Sequence, residues 1–201
     1  MIRIAVLVSG RGSNLQAIID SIENKYLQAQ ISVVISDIAD AYALVRARTH
    51  GINAIHIDPK KFATKEAYET EILNVFSSHN VQLVLLAGYM KILGKTLLTA
   101  YKGRILNIHP ALLPSFPGLH AQEQAIKHGV KVAGCTVHFV DEELDGGPII
   151  LQKCVEVKEE DTAQTLAERI LEQEHKIYPE AVKLFVENKL RIEGRKVKII
   201  K

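Results

Sequence analysis

Apolar runs rich in Val and Ile alternate with amphipathic segments along the first half of this chain, and this alternation limits the folds that it can adopt. Residues 2–8 form the first run, which is typical of a strand covered on both faces. A glycine-rich turn follows, and residues 15–22 then place apolar side chains at helical spacing. The pair of elements repeats with short links, which predicts an α/β fold with a mostly parallel, Rossmann-like sheet and helices on both faces.

The same pattern gives bounds for the predicted elements. Strands are expected at residues 2–8, 31–35, 54–57, 81–87 and 104–109, and helices at residues 15–22, 39–50 and 64–78. Ser13 stands where its hydroxyl can cap the first helix, and Gly51 closes the second.

Beyond residue 130 the pattern changes from parallel to antiparallel pairing. Residues 130–140 alternate in polarity, and residues 148–157 form another strand-like run. The link between them is too short for a parallel crossover and predicts an antiparallel hairpin. Residues 162–188 are amphipathic at helical spacing, with a kink expected at Pro179. Residues 190–200 suggest a last strand or a small hairpin around a glycine.

The composition indicates the class of protein. The 201 residues are 47% hydrophobic and 24% charged, with a formal net charge of +2, which is ordinary for one soluble globular domain. This charge does not require nucleic acid, and no apolar run approaches the roughly 20 residues of a membrane helix. Cys135 and Cys154 are the two cysteines; both are interpreted as buried small apolar residues, and a reducing cytoplasm is expected.

The sequence SGRGSNL closes the first strand and opens the first helix. Backbone N–H groups and the positive end of the helix favour a phosphate there. Gly10 and Gly12 let the backbone approach it, and Ser13 and Asn14 add donors. The third glycine of a dinucleotide-binding turn is absent, although Asp37 after the second strand resembles the acid that binds a ribose in such sites. A terminal phosphate, a dinucleotide and a plain tight turn are all open interpretations.

The stretch LNIHPALLP ends a predicted strand in an amide and an imidazole, directly before Pro110. Asn107 and His109 are two residues apart and face one side of the strand. The carboxyl ends of parallel strands line the ligand crevice, where His109 suits acid–base catalysis and Asn107 suits an oxyanion. Asp145, in the link DEELDGGP, is the candidate partner that would raise the pKa of the imidazole. The alternatives are a core histidine and a plain Asp-Gly-Gly turn.

Other polar residues leave the function open. A metal site would need His109, His120, His138 and Asp145 to converge, but the spacings typical of zinc ligands are absent, so no metal is expected. His138 either lines the pocket or packs within the sheet. Glu174 falls on the apolar stripe of the last predicted helix, where a carboxylate is costly without a partner. It either binds a substrate or reaches past the edge of the stripe.

Five stretches of the chain together resemble a known family. They are VLVSGRGSNLQAII, LAGYMKIL, GRILNIHPALLPSFPGLH, VHFVDEELDGGPIILQ and QEHKIYP, in this order. Over nearly its whole length the sequence resembles the phosphoribosylglycinamide formyltransferases, a family of folate-dependent enzymes of purine synthesis. The resemblance implies a single formyltransferase domain over residues 1–201, with a nucleotide- and phosphate-binding half at residues 1–100 and a catalytic, folate-binding half at residues 101–201.

The resemblance also implies roles for single residues. The catalytic residues would be Asn107, His109 and Asp145, and phosphate and nucleotide binding would involve Gly12, Ser13, Asn14 and Glu174. Folate binding would involve Lys65, Met90, Lys91, Ile92, Leu93, Asn107, Val140 and Asp141, with His138 as a further lining residue. Lys65 and Lys91 stand where well-known members have arginine, so these folate contacts would lose a planar bidentate group.

The implied reaction transfers the formyl group of the cosubstrate 10-formyltetrahydrofolate to the amine of glycinamide ribonucleotide in de novo purine biosynthesis. Protonated His109 and Asn107 would stabilise the oxyanion, and Asp145 would keep His109 charged. The resemblance implies small-molecule substrates only, no metal, nucleic acid or membrane, and a monomer or homodimer. Two rival functions are a 10-formyltetrahydrofolate hydrolase that uses the same trio, and a non-catalytic nucleotide-binding module based on Asp37 and the glycine turn.

Overall fold

A computed structural model describes residues 1–200 of the chain. The chain divides into two compact units, of which the first is Met1–Leu106 and the second begins at Asn107. Among residues 1–200, no helix has both the length and the apolar character needed to cross a membrane.

The first unit alternates strands and helices in the predicted order. Its elements are β1 (Ile2–Val8), α1 (Ser13–Glu23), β2 (Ala29–Ser36), α2 (Tyr42–Thr49), β3 (Ala54–His56), a 3-10 turn (Pro59–Lys61), α3 (Lys65–Ser78), β4 (Leu83–Leu86), α4 (Lys95–Ala100) and the start of β5 (Ile105–His109). The strands follow the order β3-β2-β1-β4, then the start of β5, and β1 is parallel to both β2 and β4. Residues 4–8 of β1 are completely buried, as expected for a strand covered on both faces.

The second unit contains the antiparallel part of the fold. Its elements are the end of β5, α5 (Ala121–His128), β6 (Val132–Phe139), β7 (Ile149–Glu156), α6 (Ala163–Val186), β8 (Leu190–Glu193) and β9 (Lys196–Ile199). The strands β6 and β7 form the predicted antiparallel hairpin, and β8 and β9 form a second one. The prediction of an α/β fold with a mostly parallel sheet and an antiparallel hairpin toward the C-terminal part is confirmed.

Two expectations from the sequence are wrong. Ser13 does not cap α1, because Gly12 adopts a left-handed conformation with φ +71° at the N-cap and no side chain caps the helix. Cys154 is exposed, whereas Cys135 is buried. Cys154 lies on the side of β7 that also holds Gln152 and Glu156, both exposed, because alternate residues of a strand share a face. The short helices α4 and α5 were not among the predicted elements.

Candidate functional site

The side chains of Asn107 and His109 meet Asp145 in the second unit. Asn107 and His109 are alternate residues at the end of β5, so both side chains project to the same side. The Asn107 Nδ2 donates to Asp145 Oδ1 at 3.4 Å, and the His109 Nδ1 lies 3.4 Å from Asp145 Oδ2. One carboxylate therefore contacts both the amide and the imidazole.

The loop between β6 and β7 holds Asp145 in an unusual conformation. Asp145 has φ +50°, which residues other than glycine seldom adopt. A side chain at Gly147 would clash with the carbonyl oxygen of Phe139, so the next turn of the loop requires glycine. The backbone N–H of Gly118 also donates to Asp145 Oδ2 at 2.8 Å. The carboxylate is thus fixed by its own loop and by a second loop.

Burial and charge act on His109 and Asp145 in opposite directions. Burial lowers the pKa of His109 below its ordinary value of 6.5, and Asp145 and the Phe116 carbonyl only partly offset it. Burial raises the pKa of Asp145, but the neighbouring His138 and His109 rings and the hydrogen bond from the Gly118 N–H together leave it below its ordinary value. Desolvation of the ring thus exceeds the effect of the carboxylate on the pKa of His109, which opposes the expectation that Asp145 keeps His109 charged.

Both ring nitrogens of His109 nevertheless face acceptors. Nε2 donates to the carbonyl oxygen of Phe116 at 2.8 Å, and Nδ1 faces Asp145 Oδ2. A neutral imidazole has one N–H, whereas an imidazolium donates from both nitrogens. If His109 gains a proton during a reaction, both N–H groups of the charged ring therefore have an acceptor.

His138 completes the polar cluster from β6. It is 1% exposed, and its Nδ1 donates to the carbonyl oxygen of Phe139 at 2.8 Å. Its Nε2 accepts from Asn107 Nδ2 at 3.2 Å and lies 3.6 Å from Asp145 Oδ1. His138 and Asp145 are both acceptors at the same end of Asn107, which fixes the nitrogen of this amide toward them.

We expect the buried imidazole of His109 to make the protein less stable in acid. The folded-state pKa lies below the ordinary value of 6.5, so the unfolded chain binds a proton that the folded chain excludes. This contribution to stability is fully present above pH 6.5 and is lost as the pH falls through the folded-state pKa. Urea unfolding between pH 5 and pH 7 should show a smaller pH dependence for His109→Gln than for the wild type. The exposed His56→Gln variant is the control, and the same pH dependence in His109→Gln and His56→Gln would contradict the expectation.

The predicted phosphate turn lies in the first unit, at the start of α1. A Cβ on Gly12 would lie 2.6 Å from Ala43 Cβ, and φ is +71°, so this position requires glycine. The Arg11 carbonyl accepts from Arg46 Nε at 2.9 Å, which holds the turn against α2. Ser13 is half-buried and Asn14 is 8% exposed. The first N–H groups of a helix have no partners within it and can bind an anion.

The first unit also contains five of the predicted folate-binding residues. Lys65 begins α3, and the other four lie between β4 and α4. Met90 and Ile92 are 62% and 66% exposed and Lys91 is also exposed, whereas Leu93 is 8% exposed. Two large apolar side chains and two lysines are therefore available to a ligand on this unit.

Asp37 is a buried acceptor in this structure. It is 5% exposed, and its Oδ1 accepts from Ser9 Oγ at 2.6 Å. Ser9 Oγ in turn accepts from the backbone N–H of Met90 at 2.9 Å. The carboxylate thus helps to hold the segment after β4, a role that differs from the ribose acceptor of a dinucleotide site.

The remaining predicted residues lie in the second unit. Val140 is half-buried and Asp141 is exposed, both at the start of the Asp145 loop. Glu174 is 7% exposed in α6. Burial, and then the nearby Glu174, raise the pKa of the Cys135 thiol to about 12. Within residues 1–200, no three His, Cys, Asp or Glu side chains are grouped so that they could hold a metal ion.

Sequence reasoning missed two backbone contacts of the site. The Phe116 carbonyl and the Gly118 N–H bind His109 and Asp145. Both belong to the stretch SFPGLH, whose Pro117 and Gly118 are typical of a turn but do not show which backbone groups face the site.

Three comparisons with known proteins agree on one family. Residues 2–182 match the formyl transferase family. A phosphoribosylglycinamide formyltransferase of Bacillus subtilis is 45% identical over 183 residues, which are 91% of this chain and 94% of that relative. The solved structure of glycinamide ribonucleotide transformylase 1 from Symbiobacterium toebii has 54% identity and a TM-score of 0.99, over 100% of this chain and 95% of that chain.

A solved formyltetrahydrofolate deformylase from Pseudomonas syringae pv. tomato is also similar. It has 29% identity and a TM-score of 0.92, over 100% of this chain and 66% of that chain. These matches extend over most of the residues described above, including the ends of β1 and β5 and the Asp145 loop. The chain therefore belongs to the formyl transferase family.

Proposed function

We propose that the protein transfers the formyl group of 10-formyltetrahydrofolate to the amine of glycinamide ribonucleotide, a step of purine biosynthesis. The main support is the contact of one carboxylate, Asp145, with both Asn107 and His109 in a member of the formyl transferase family. Identity also favours transfer over hydrolysis, since it is 54% to a solved transformylase and 29% to a solved deformylase.

In the proposed reaction the glycinamide nitrogen attacks the formyl carbon. A bond forms between them, and the bond from that carbon to N10 of the folate breaks. The tetrahedral intermediate has an oxyanion, which would replace one present acceptor of Asn107 Nδ2 and one of His109 and would be stabilised by these two donors. The proton that the amine loses ends on N10.

His109 is suited to hold that proton for a short time. Burial lowers the pKa of the ring, which favours its neutral form at rest. A developing oxyanion would favour the charged ring, and the Phe116 carbonyl and Asp145 already face its two nitrogens. The positive charge would then be present mainly in the transition state, where it accelerates the chemical step. No metal takes part in the steps that we propose.

We assign substrate binding to the other predicted residues. Gly12, Ser13 and Asn14 would bind the phosphate at the start of α1, where a helix N-terminus favours an anion. Glu174 would bind the ribose or the glycinamide end. The folate would contact Lys65, Met90, Lys91, Ile92, Leu93, Asn107, Val140 and Asp141. We further propose a cytoplasmic location and small-molecule partners only, with the protein as a monomer or homodimer.

Formyl transfer can be tested directly with the purified protein. With both substrates, we expect formylated glycinamide ribonucleotide and tetrahydrofolate to appear in equal amounts, at the same rate with and without EDTA. Without glycinamide ribonucleotide, we expect almost no loss of the formyl group. An equal rate of deformylation without that substrate would identify a hydrolase, and NAD binding without transfer would identify a dinucleotide-binding module. Loss of activity in EDTA that zinc restores would contradict the metal-free mechanism.

A further inference from the structure

We propose that Arg195, in the turn between β8 and β9, is a positioning residue for the loop that contains Asp145. This inference rests on the proposed function. Arg195 Nη2 donates to the carbonyl oxygen of Gly146 at 2.8 Å, and Nη1 lies 3.3 Å from Glu143 Oε2. The two contacts bracket Asp145, with one two residues before it and the other on the next residue.

The turn that presents Arg195 is itself held by the sheet. The strands β8 and β9 pair antiparallel around Gly194, which has φ +61°. Lys196, the residue after Arg195, pairs with Ile149 at the start of β7. Because β7 begins directly after the Asp145 loop, the backbone of Arg195 is fixed beside the strand that leaves this loop. Arg195 therefore loses little backbone entropy when its side chain binds Gly146.

The Asp145 loop is exposed and strained, so a contact from another part of the unit would stabilise it. Residues 141–144 are exposed, and Asp145 adopts a left-handed conformation that is disfavoured for its side chain. The loop closes internally through one backbone bond, from the Gly146 N–H to the Glu143 carbonyl at 3.0 Å. Arg195 binds the opposite group of the same residue, the Gly146 carbonyl. Its contact therefore limits the movement of Asp145 relative to His109.

Other cations of the hairpin have different partners. Arg191 pairs with Glu193 at 3.2 Å, and Lys198 pairs with the same carboxylate. Both contacts remain within the hairpin, whereas Arg195 reaches the Asp145 loop. The hairpin also lies outside residues 2–182, the part that matches the formyl transferase family. Arg195 thus adds to the site from a segment that follows residues 2–182.

The test compares Arg195→Ala with Arg191→Ala, a matched control on the same hairpin. Arg195 is 73% exposed, so its contact is weak, and we expect Arg195→Ala to lower kcat about five-fold. The KM values for both substrates should stay within about two-fold of the wild type, since loss of one exposed contact should have little effect on substrate binding. Arg195→Lys should fall between the wild type and Arg195→Ala, because lysine keeps the charge but loses the planar fork.

The pH dependence of kcat separates positioning from general stability. In Arg195→Ala, Asp145 would be held less firmly near His109 and would raise its pKa less. The acid limb of the pH profile of kcat should therefore move to lower pH in this variant. Arg191→Ala should keep the wild-type kcat and profile. Equal kcat values and profiles for the two alanine variants would overturn this inference while leaving the proposed function in place. A wild-type protein without formyl transfer would overturn both.

Discussion

Asp145→Ala is expected to lower kcat by about 100- to 10,000-fold, the range typical for loss of a group that assists proton transfer. The carboxylate contacts Asn107 Nδ2 and His109 Nδ1, each at 3.4 Å. Its removal would leave His138 as the remaining acceptor of the Asn107 amide and take away the group that most raises the pKa of His109. Both substrates should still bind, so the KM values should change little. Steady-state kinetics with each substrate varied in turn will measure this.

Two further variants make this result specific. Glu142→Ala removes an exposed carboxylate from the same loop and should keep wild-type turnover. Asp145→Asn keeps the shape of the side chain but loses its charge, so it should move the acid limb of the kcat profile to lower pH. Near-normal turnover in Asp145→Ala would exclude the proposed role of Asp145, whatever the stability of the variant.

Local sequence patterns were enough to predict which side chains lie together at the end of β5. A strand has a two-residue period, so Asn107 and His109 had to share a side, and the carboxyl end of a parallel strand is a common place for ligands. The glycines after Asp145 marked a loop with a special conformation, and the structure shows why Gly147 is needed. The succession of strands and helices along the chain followed from their periodicity, and the antiparallel hairpin followed from the length of its link.

What depends on burial and on loop paths could not be predicted in this way. The sequence shows that Asp145 can raise the pKa of His109, but it does not show the desolvation, which lowers that pKa by more than Asp145 raises it. The Phe116 carbonyl and the Gly118 N–H are backbone groups, which no residue type reveals. Serine often caps helices, but in this structure Gly12, in a left-handed conformation, occupies the N-cap position in place of Ser13.

The second large effect is expected at Asn107. Asn107→Ala removes a donor to the oxyanion and should lower kcat by about 100- to 1,000-fold. Asn107→Asp has nearly the same shape, but it places a second carboxylate next to Asp145 Oδ1, which now accepts from Asn107 Nδ2 at 3.4 Å. A negative charge at this point also opposes the oxyanion. We therefore expect Asn107→Asp to be about ten-fold slower than Asn107→Ala at pH 8, since a further 1.4 kcal/mol of repulsion corresponds to this factor.

The pH dependence of that difference tests its electrostatic cause. Two adjacent carboxylates raise the pKa of one of them, so Asn107→Asp should take up a proton as the pH falls. The added repulsion then disappears, and the two variants should approach the same kcat in mild acid. An Asn107→Asp enzyme as fast as Asn107→Ala at pH 8 would show that no negative charge develops near this amide. Circular dichroism on both variants, at each pH used, distinguishes this outcome from a loss of the fold.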